Sequence, residues 1–89
     1  MSTELAAAEI QPFTATAIQA GSIVKNSQTL TINFPRPFNS IPVVALSATY
    51  SHGLQSPDLI TAVNTSQFTV NSGNMGGDYY VNWIACAQD

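Results

Sequence analysis

The segment 30–50 constrains the fold of this chain most, because two strand-like runs flank a turn with three prolines. Leu30, Ile32 and Phe34 alternate with polar residues, which is the pattern of a strand with one buried face. The run 43–48 is apolar at nearly every position and predicts a strand that is covered on both faces. Proline fixes φ and cannot donate a backbone hydrogen bond, so the connection is expected to be stiff, with Phe38 and Ile41 pointing inward.

Four further segments have strand character, and each is bounded by glycine, proline or small polar residues. They cover residues 14–24, 59–64, 68–71 and 79–87. Six short strands with frequent turn signals and almost no helical pattern predict an all-β fold, a six-stranded antiparallel β-sandwich. Residues 1–15 are predicted to be an N-terminal arm or connector, and residues 16–89 the sandwich domain.

Three details of these strands carry their own predictions. Gly21 lies inside the first strand, where glycine commonly marks a bend or a bulge. The short polar connection between 59–64 and 68–71 predicts a hairpin. The last strand is apolar on both faces, with Val81 and Trp83 on one and Ile84 on the other. Trp83 is interpreted as a core residue, and the second apolar face predicts a contact with another subunit.

Composition limits the partners that this chain can have. Only 8% of its 89 residues are charged, whereas globular chains average about 25%. A small domain with so few charges is expected to hide surface by forming oligomers. The net charge is −3 and the only cations are Lys25 and Arg36, so nucleic acid is an unfavourable partner. No membrane insertion is expected, since no run reaches about 18 apolar residues, and no signal peptide is recognisable.

The sequence shows no catalytic or metal-binding pattern. His52 is the only histidine, and a relay with Ser51 and either Asp58 or Asp78 would lack the usual sequence context of a nucleophile. The carboxylates have no recognised ligand spacing, so neither a metal nor a cofactor is predicted. We therefore expect a protein that is not an enzyme.

The glycine-rich segment 71–78 is the best candidate for a binding loop. Asn74, Asp78, Tyr79 and Tyr80 combine amide, carboxylate and aromatic groups, a mixture that suits sugars. Sugar C–H faces stack on rings, while the hydroxyls need polar partners. An ordinary polar turn before a strand is the alternative interpretation.

Four motifs together resemble the H-type lectin domain of snail agglutinins and discoidins, over residues 18–87. The motifs are IQAGSI at 18–23, INFPRPFNSIPVVALS at 32–47, Phe68, and VNWIACA at 81–87. The phrase FPRPFNSIPVV is also similar to the C-terminal tips of phage tail fibres. The resemblance implies a six-stranded antiparallel sandwich, a homotrimer with parallel protomers, and a shallow carbohydrate site between subunits.

The chain departs from this family at the sugar site. Family members that bind galactosamine-type sugars use an acidic residue after the first strand, a mid-chain arginine and an aromatic–histidine pair before the last strand. Here these regions contain Lys25-Asn26-Ser27, no arginine after Arg36, and Met75-Gly76-Gly77. The candidate ligand-binding residues are therefore a different set: Asn26, His52, Asp58, Asn74, Asp78 and Tyr79.

The expected function is recognition of cell-surface glycans by a lectin-like module. One setting for such a module is the receptor-binding tip of a phage or prophage tail fibre. The alternative is a structural trimerisation cap that binds no ligand. Localisation is left open between an extracellular protein and a virion tail fibre.

Overall fold

The computed structural model describes residues 7–9, 13–49 and 57–88, and within these ranges it contains six strands and no helix. The strands are β1 (Ala17–Val24), β2 (Thr29–Asn33), β3 (Val43–Thr49), β4 (Leu59–Val63), β5 (Gln67–Asn71) and β6 (Tyr80–Ala87). They form two three-stranded antiparallel sheets, in the orders β1-β6-β3 and β2-β5-β4. The prediction of six antiparallel strands is confirmed, although β1 begins later than expected. Of the predicted arm, residues 1–6 and 10–12 lie outside the described ranges.

Aromatic rings from both sheets meet in one core. The ring centroids of Phe68 on β5 and Trp83 on β6 lie 5.6 Å apart, and Phe34 lies 5.5 Å from Phe68 and 5.6 Å from Trp83. Each of these side chains is buried, as Trp83 was predicted to be. The inner faces of β2, β5 and β6 supply most of the surrounding apolar residues: Ile32, Val70, Val81, Ala85 and Ala87.

The proline-rich segment carries the chain from one sheet to the other, because β2 and β3 belong to different sheets. The rings of Phe34 and Phe38 are buried and meet edge to face, with centroids 4.9 Å apart. Their backbone N–H groups donate to the carbonyls of Ser66 (2.9 Å) and Thr65 (2.8 Å). The inward prediction is confirmed for Phe38 but is wrong for Ile41, which is 66% exposed.

The prediction that both faces of β3 are covered is wrong within the described part of the chain, because alternate residues of this strand are exposed. Its exposure alternates along 43–47, with Val44 and Leu46 turned towards the core and Val43 left 60% exposed. An apolar run indicates burial on both faces only when other elements cover the second face. No described residue of the same chain does so here.

Gly21 does not mark a bulge, which corrects that part of the prediction. The β1–β6 register is continuous, with Gly21 opposite Trp83, and the irregularity in register falls instead between Ile60 and Ala62 of β4. The predicted hairpin is confirmed as the β4–β5 pair. Its turn is stabilised by the side-chain oxygen of Asn64, which accepts hydrogen bonds from the Ser66 and Gln67 N–H groups.

Candidate functional site

Three connections meet at one end of the two sheets. They are the β1–β2 loop, the residues that precede β4, and the β5–β6 loop; we call residues 25–28, 57–58 and 72–79 the loop platform. The Lys25 N–H donates to the Tyr79 carbonyl (2.8 Å), and the Lys25 carbonyl accepts from the Gly76 N–H (2.9 Å). The Ser72 N–H donates to the Gln28 carbonyl (3.0 Å). Backbone hydrogen bonds therefore connect the glycine-rich β5–β6 loop to the β1–β2 loop.

Lys25 lies at the centre of the platform and is fully buried. Its ammonium group donates to the backbone carbonyls of Ser72 (3.0 Å) and Asn74. Burial lowers the pKa of Lys25, because the charged form loses its hydration, and the negative charge of Asp58 partly opposes this effect. A buried charge needs such partners, and here two loop carbonyls accept hydrogen bonds from the lysine.

Asp58, which directly precedes β4, is hydrogen-bonded to the glycine-rich loop. One oxygen of its carboxylate accepts from the Ser72 hydroxyl, and the other accepts from the Tyr79 hydroxyl. Burial raises the pKa of Tyr79 to about 12, and the hydrogen bond and charge of Asp58 act in the same direction, while a hydrogen bond with Asn74 opposes them. Among the described residues, no buried side-chain polar atom lacks a hydrogen-bond partner.

The platform therefore contains a buried polar cluster, formed by Lys25, Asp58, Ser72, Asn74 and Tyr79. Three of the predicted ligand-binding residues, Asp58, Asn74 and Tyr79, belong to it. Asn74 is 2% exposed and Tyr79 is fully buried, so these side chains hold the loops together and do not face solvent.

The other three predicted ligand-binding residues are not part of the buried polar cluster. Asn26 and Asp78 are exposed on the platform. The carboxylate of Asp78 lies beside Gly76: a Cβ added to this glycine would be 3.3 Å from the Asp78 Oδ1 atom. His52 lies outside the described residues. The residues predicted from the sequence as candidates for the site did not include Lys25 or Ser72. No local pattern distinguishes a buried lysine from one in an exposed turn.

A second notable surface is the outer face of the β1-β6-β3 sheet. The register places Ile18, Cys86 and Val43 in one row across the three strands, and Ala20, Ile84 and Ala45 in the next. Ile18 is 59% exposed and Ile84 is 45% exposed. We call these six residues the apolar outer face.

The outer face of the β2-β5-β4 sheet is different in character. Its cross-strand pairs include Thr31 with Thr69 and Asn33 with Gln67, and the two threonine hydroxyls lie 3.2 Å apart. One outer sheet face is thus apolar, and the other is rich in hydroxyl and amide groups.

The described ranges contain neither a group of candidate metal ligands nor a long apolar helix. No three His, Cys, Asp or Glu side chains are grouped there so that they could hold a metal ion. No helix in this part of the chain is long and apolar enough to cross a membrane.

Comparisons of the chain with protein-family models, with curated proteins and with solved structures each found no match. What the chain does must therefore be inferred from its own residues and motifs.

Proposed function

We propose that this chain is a non-enzymatic carbohydrate-binding module with an H-type lectin-like β-sandwich, and that it acts as a homotrimer. The observation that carries the proposal is the buried polar cluster, which holds the three loops of the platform in one arrangement. Loops that are already ordered lose little conformational entropy when a ligand binds. The exposed side chains on them, including Asn26 and Asp78, offer amide and carboxylate groups for sugar hydroxyls.

The trimer is supported by the apolar outer face. A contiguous apolar patch on a chain with 8% charged residues favours association with further copies. Few charged groups face a ligand here, so each protomer is expected to bind a glycan weakly. Three linked sites would raise the overall avidity without new contacts, which makes assembly part of the function.

A phage or prophage tail-fibre tip is the biological setting that we propose for this module. The similarity of FPRPFNSIPVV to fibre tips supports it, as does the low charge content. In this setting the ligand would be a glycan on a cell surface.

A glycan array with the purified oligomer tests the proposal. We expect binding to at least one saccharide class, and loss of that binding in Asn26→Ala and in Asp78→Ala. Thr31→Ala, on the polar outer face of the other sheet, is the matched control and should bind normally. Circular dichroism of each variant shows whether the fold is intact. Absence of binding to any saccharide would contradict the proposal.

A second candidate function is a trimerisation cap without a ligand. The observation that favours it is the burial of Asn74 and Tyr79, which removes two predicted ligand contacts from the surface. A protein that remains trimeric but gives no response on the array would support the cap.

A further inference from the structure

A groove of about 370 Å³ lies at the end of the protomer opposite to the loop platform. Its walls are the start of β1, with Thr16 and Gln19, and the segment that follows β2, with Arg36 and Pro37. The Thr16 N–H donates to the Ala87 carbonyl (3.0 Å), whereas the platform adjoins the other end of the same strand pair, at Val24 and Tyr80. The groove is therefore separate from the proposed glycan site.

The backbone at Arg36 is restrained on both sides. It lies between two prolines, which restrict the backbone, and the buried rings of Phe34 and Phe38 anchor the segment on both sides. The N–H groups of both phenylalanines are bonded to the turn between β4 and β5. The arginine backbone is consequently held in place before any ligand arrives.

Gln19 fixes the same backbone from the other wall of the groove. Its side-chain oxygen accepts from the Arg36 N–H (3.1 Å), and its side-chain nitrogen donates to the Arg36 carbonyl (2.8 Å). The guanidinium group itself is exposed and has no hydrogen-bond or ion-pair partner within the described ranges. It is thus a cation on an ordered backbone, with all five of its donors available.

The chemistry of this groove selects for one negative charge. A guanidinium group binds a carboxylate with two parallel hydrogen bonds. Polyanions need several cations, and a chain with net charge −3 and two cations, one of them buried, cannot supply them. Pro37 adds an apolar ring face beside the guanidinium group, a combination that suits a pyranose ring next to the carboxylate.

We propose that this groove binds a single uronic acid unit of an acidic saccharide, with Arg36 holding its carboxylate. The site is additional to the loop platform and does not depend on the glycan-binding proposal made for it.

Nuclear magnetic resonance titration of the wild-type protein with the methyl glycosides of galacturonate and galactose tests this inference. Galacturonate should shift the amide signals of residues 16–19 and 36–38, and galactose should bind at least about tenfold more weakly. Arg36→Gln should weaken uronate binding by a similar factor. Arg36→Lys, which keeps the charge but not the paired hydrogen bonds, should show an intermediate loss. Asp78→Ala, on the platform, should bind the uronate normally.

Several results would overturn the inference. They are the absence of shifts in the groove, equal binding of the neutral glycoside, and unchanged uronate binding in Arg36→Gln. An N-acetylated peptide with a free C-terminal carboxylate, bound as tightly as the uronate, would refute the sugar assignment. Loss of array binding in Asp78→Ala with the groove titration unaffected would separate this site from the platform.

Discussion

The indole ring of Trp83 fills the space that a side chain on Gly21 would occupy. A Cβ placed on Gly21 would lie 2.9 Å from both Cζ2 and Nε1 of that ring, closer than a Cβ atom approaches non-bonded atoms in folded proteins. The two residues face each other across the β1–β6 pair. Glycine at this position therefore serves the packing of the core.

Gly21→Ala is expected to destabilise the protein by about 1–3 kcal/mol, because the added methyl group must push the ring out of the core. Gly77→Ala is the matched control: a Cβ there meets nothing within 4 Å, so its stability should be unchanged or slightly higher. Urea denaturation at one protein concentration measures both. A Gly21→Ala variant as stable as wild type would show that the indole can move freely.

Lys25→Met is expected to lower the free energy of unfolding by about 3 kcal/mol, since it removes the hydrogen bonds to two loop carbonyls and the cation near Asp58. Asn26→Ala, at the next and exposed position, should change stability by less than about 0.5 kcal/mol. The double variant Lys25→Met/Asp58→Asn should lose less than the sum of the single variants, because both charges are then gone. Additive losses in this cycle would contradict coupling between the two residues.

Alkaline pH should destabilise the platform through Tyr79. Its pKa is about 12 in the folded protein and about 10 when unfolded, so the folded state keeps a proton that the unfolded state loses. Stability from this group is complete below about pH 10 and is lost as the pH rises towards 12. The lowered pKa of Lys25 has the opposite effect on stability, because the folded state loses this proton before the unfolded state does. Stability from this group therefore rises with pH until the pH reaches the pKa of lysine in the unfolded chain.

Tyr79→Phe provides the comparison. The difference between the phenolate absorbance titrations of wild type and Tyr79→Phe should show a step near pH 12. The stability of the wild type should fall above pH 10 because of Tyr79, and this contribution should be absent in the variant. A difference step near pH 10 would refute the burial argument.

Ile84→Asp should prevent assembly, because it places a charge in the centre of the apolar outer face. Light scattering should give a mass of about three times 9.4 kDa for the wild type and near 9.4 kDa for the variant. Thr31→Asp makes the same change on the polar outer face and should remain trimeric. A wild-type mass near 9.4 kDa at micromolar concentration would contradict the trimer.

The sequence predicted where strands lie better than what covers them. Alternation and turn residues identify β2 and the β4–β5 hairpin directly, because these features are local. The apolar run of β3 was misread, since the exposure of Val43 depends on whether another element covers the outer face of its sheet. The role of Gly21 was misread for a similar reason, because its partner Trp83 is distant in sequence.

The glycine-rich loop stays a predicted binding site, and its packing could not be predicted from the sequence. Five of the six candidate residues lie on the loop platform. The sequence could not show that Tyr79 and Asn74 face inward, because the residues that they contact, Lys25 and Asp58, lie far away along the chain. The groove at Arg36 also joins distant segments, so no local pattern indicated it.

The central position of β6 has a consequence for how the protein folds during synthesis. The sheet β2-β5-β4 has all of its strands once Asn71 has been made, whereas β1 and β3 pair only through β6. Until Ala87 leaves the ribosome, both strands present unpaired edges that could join those of another nascent chain. We therefore expect translation that stops before residue 80 to yield an aggregation-prone polypeptide in which half of the β-structure cannot form.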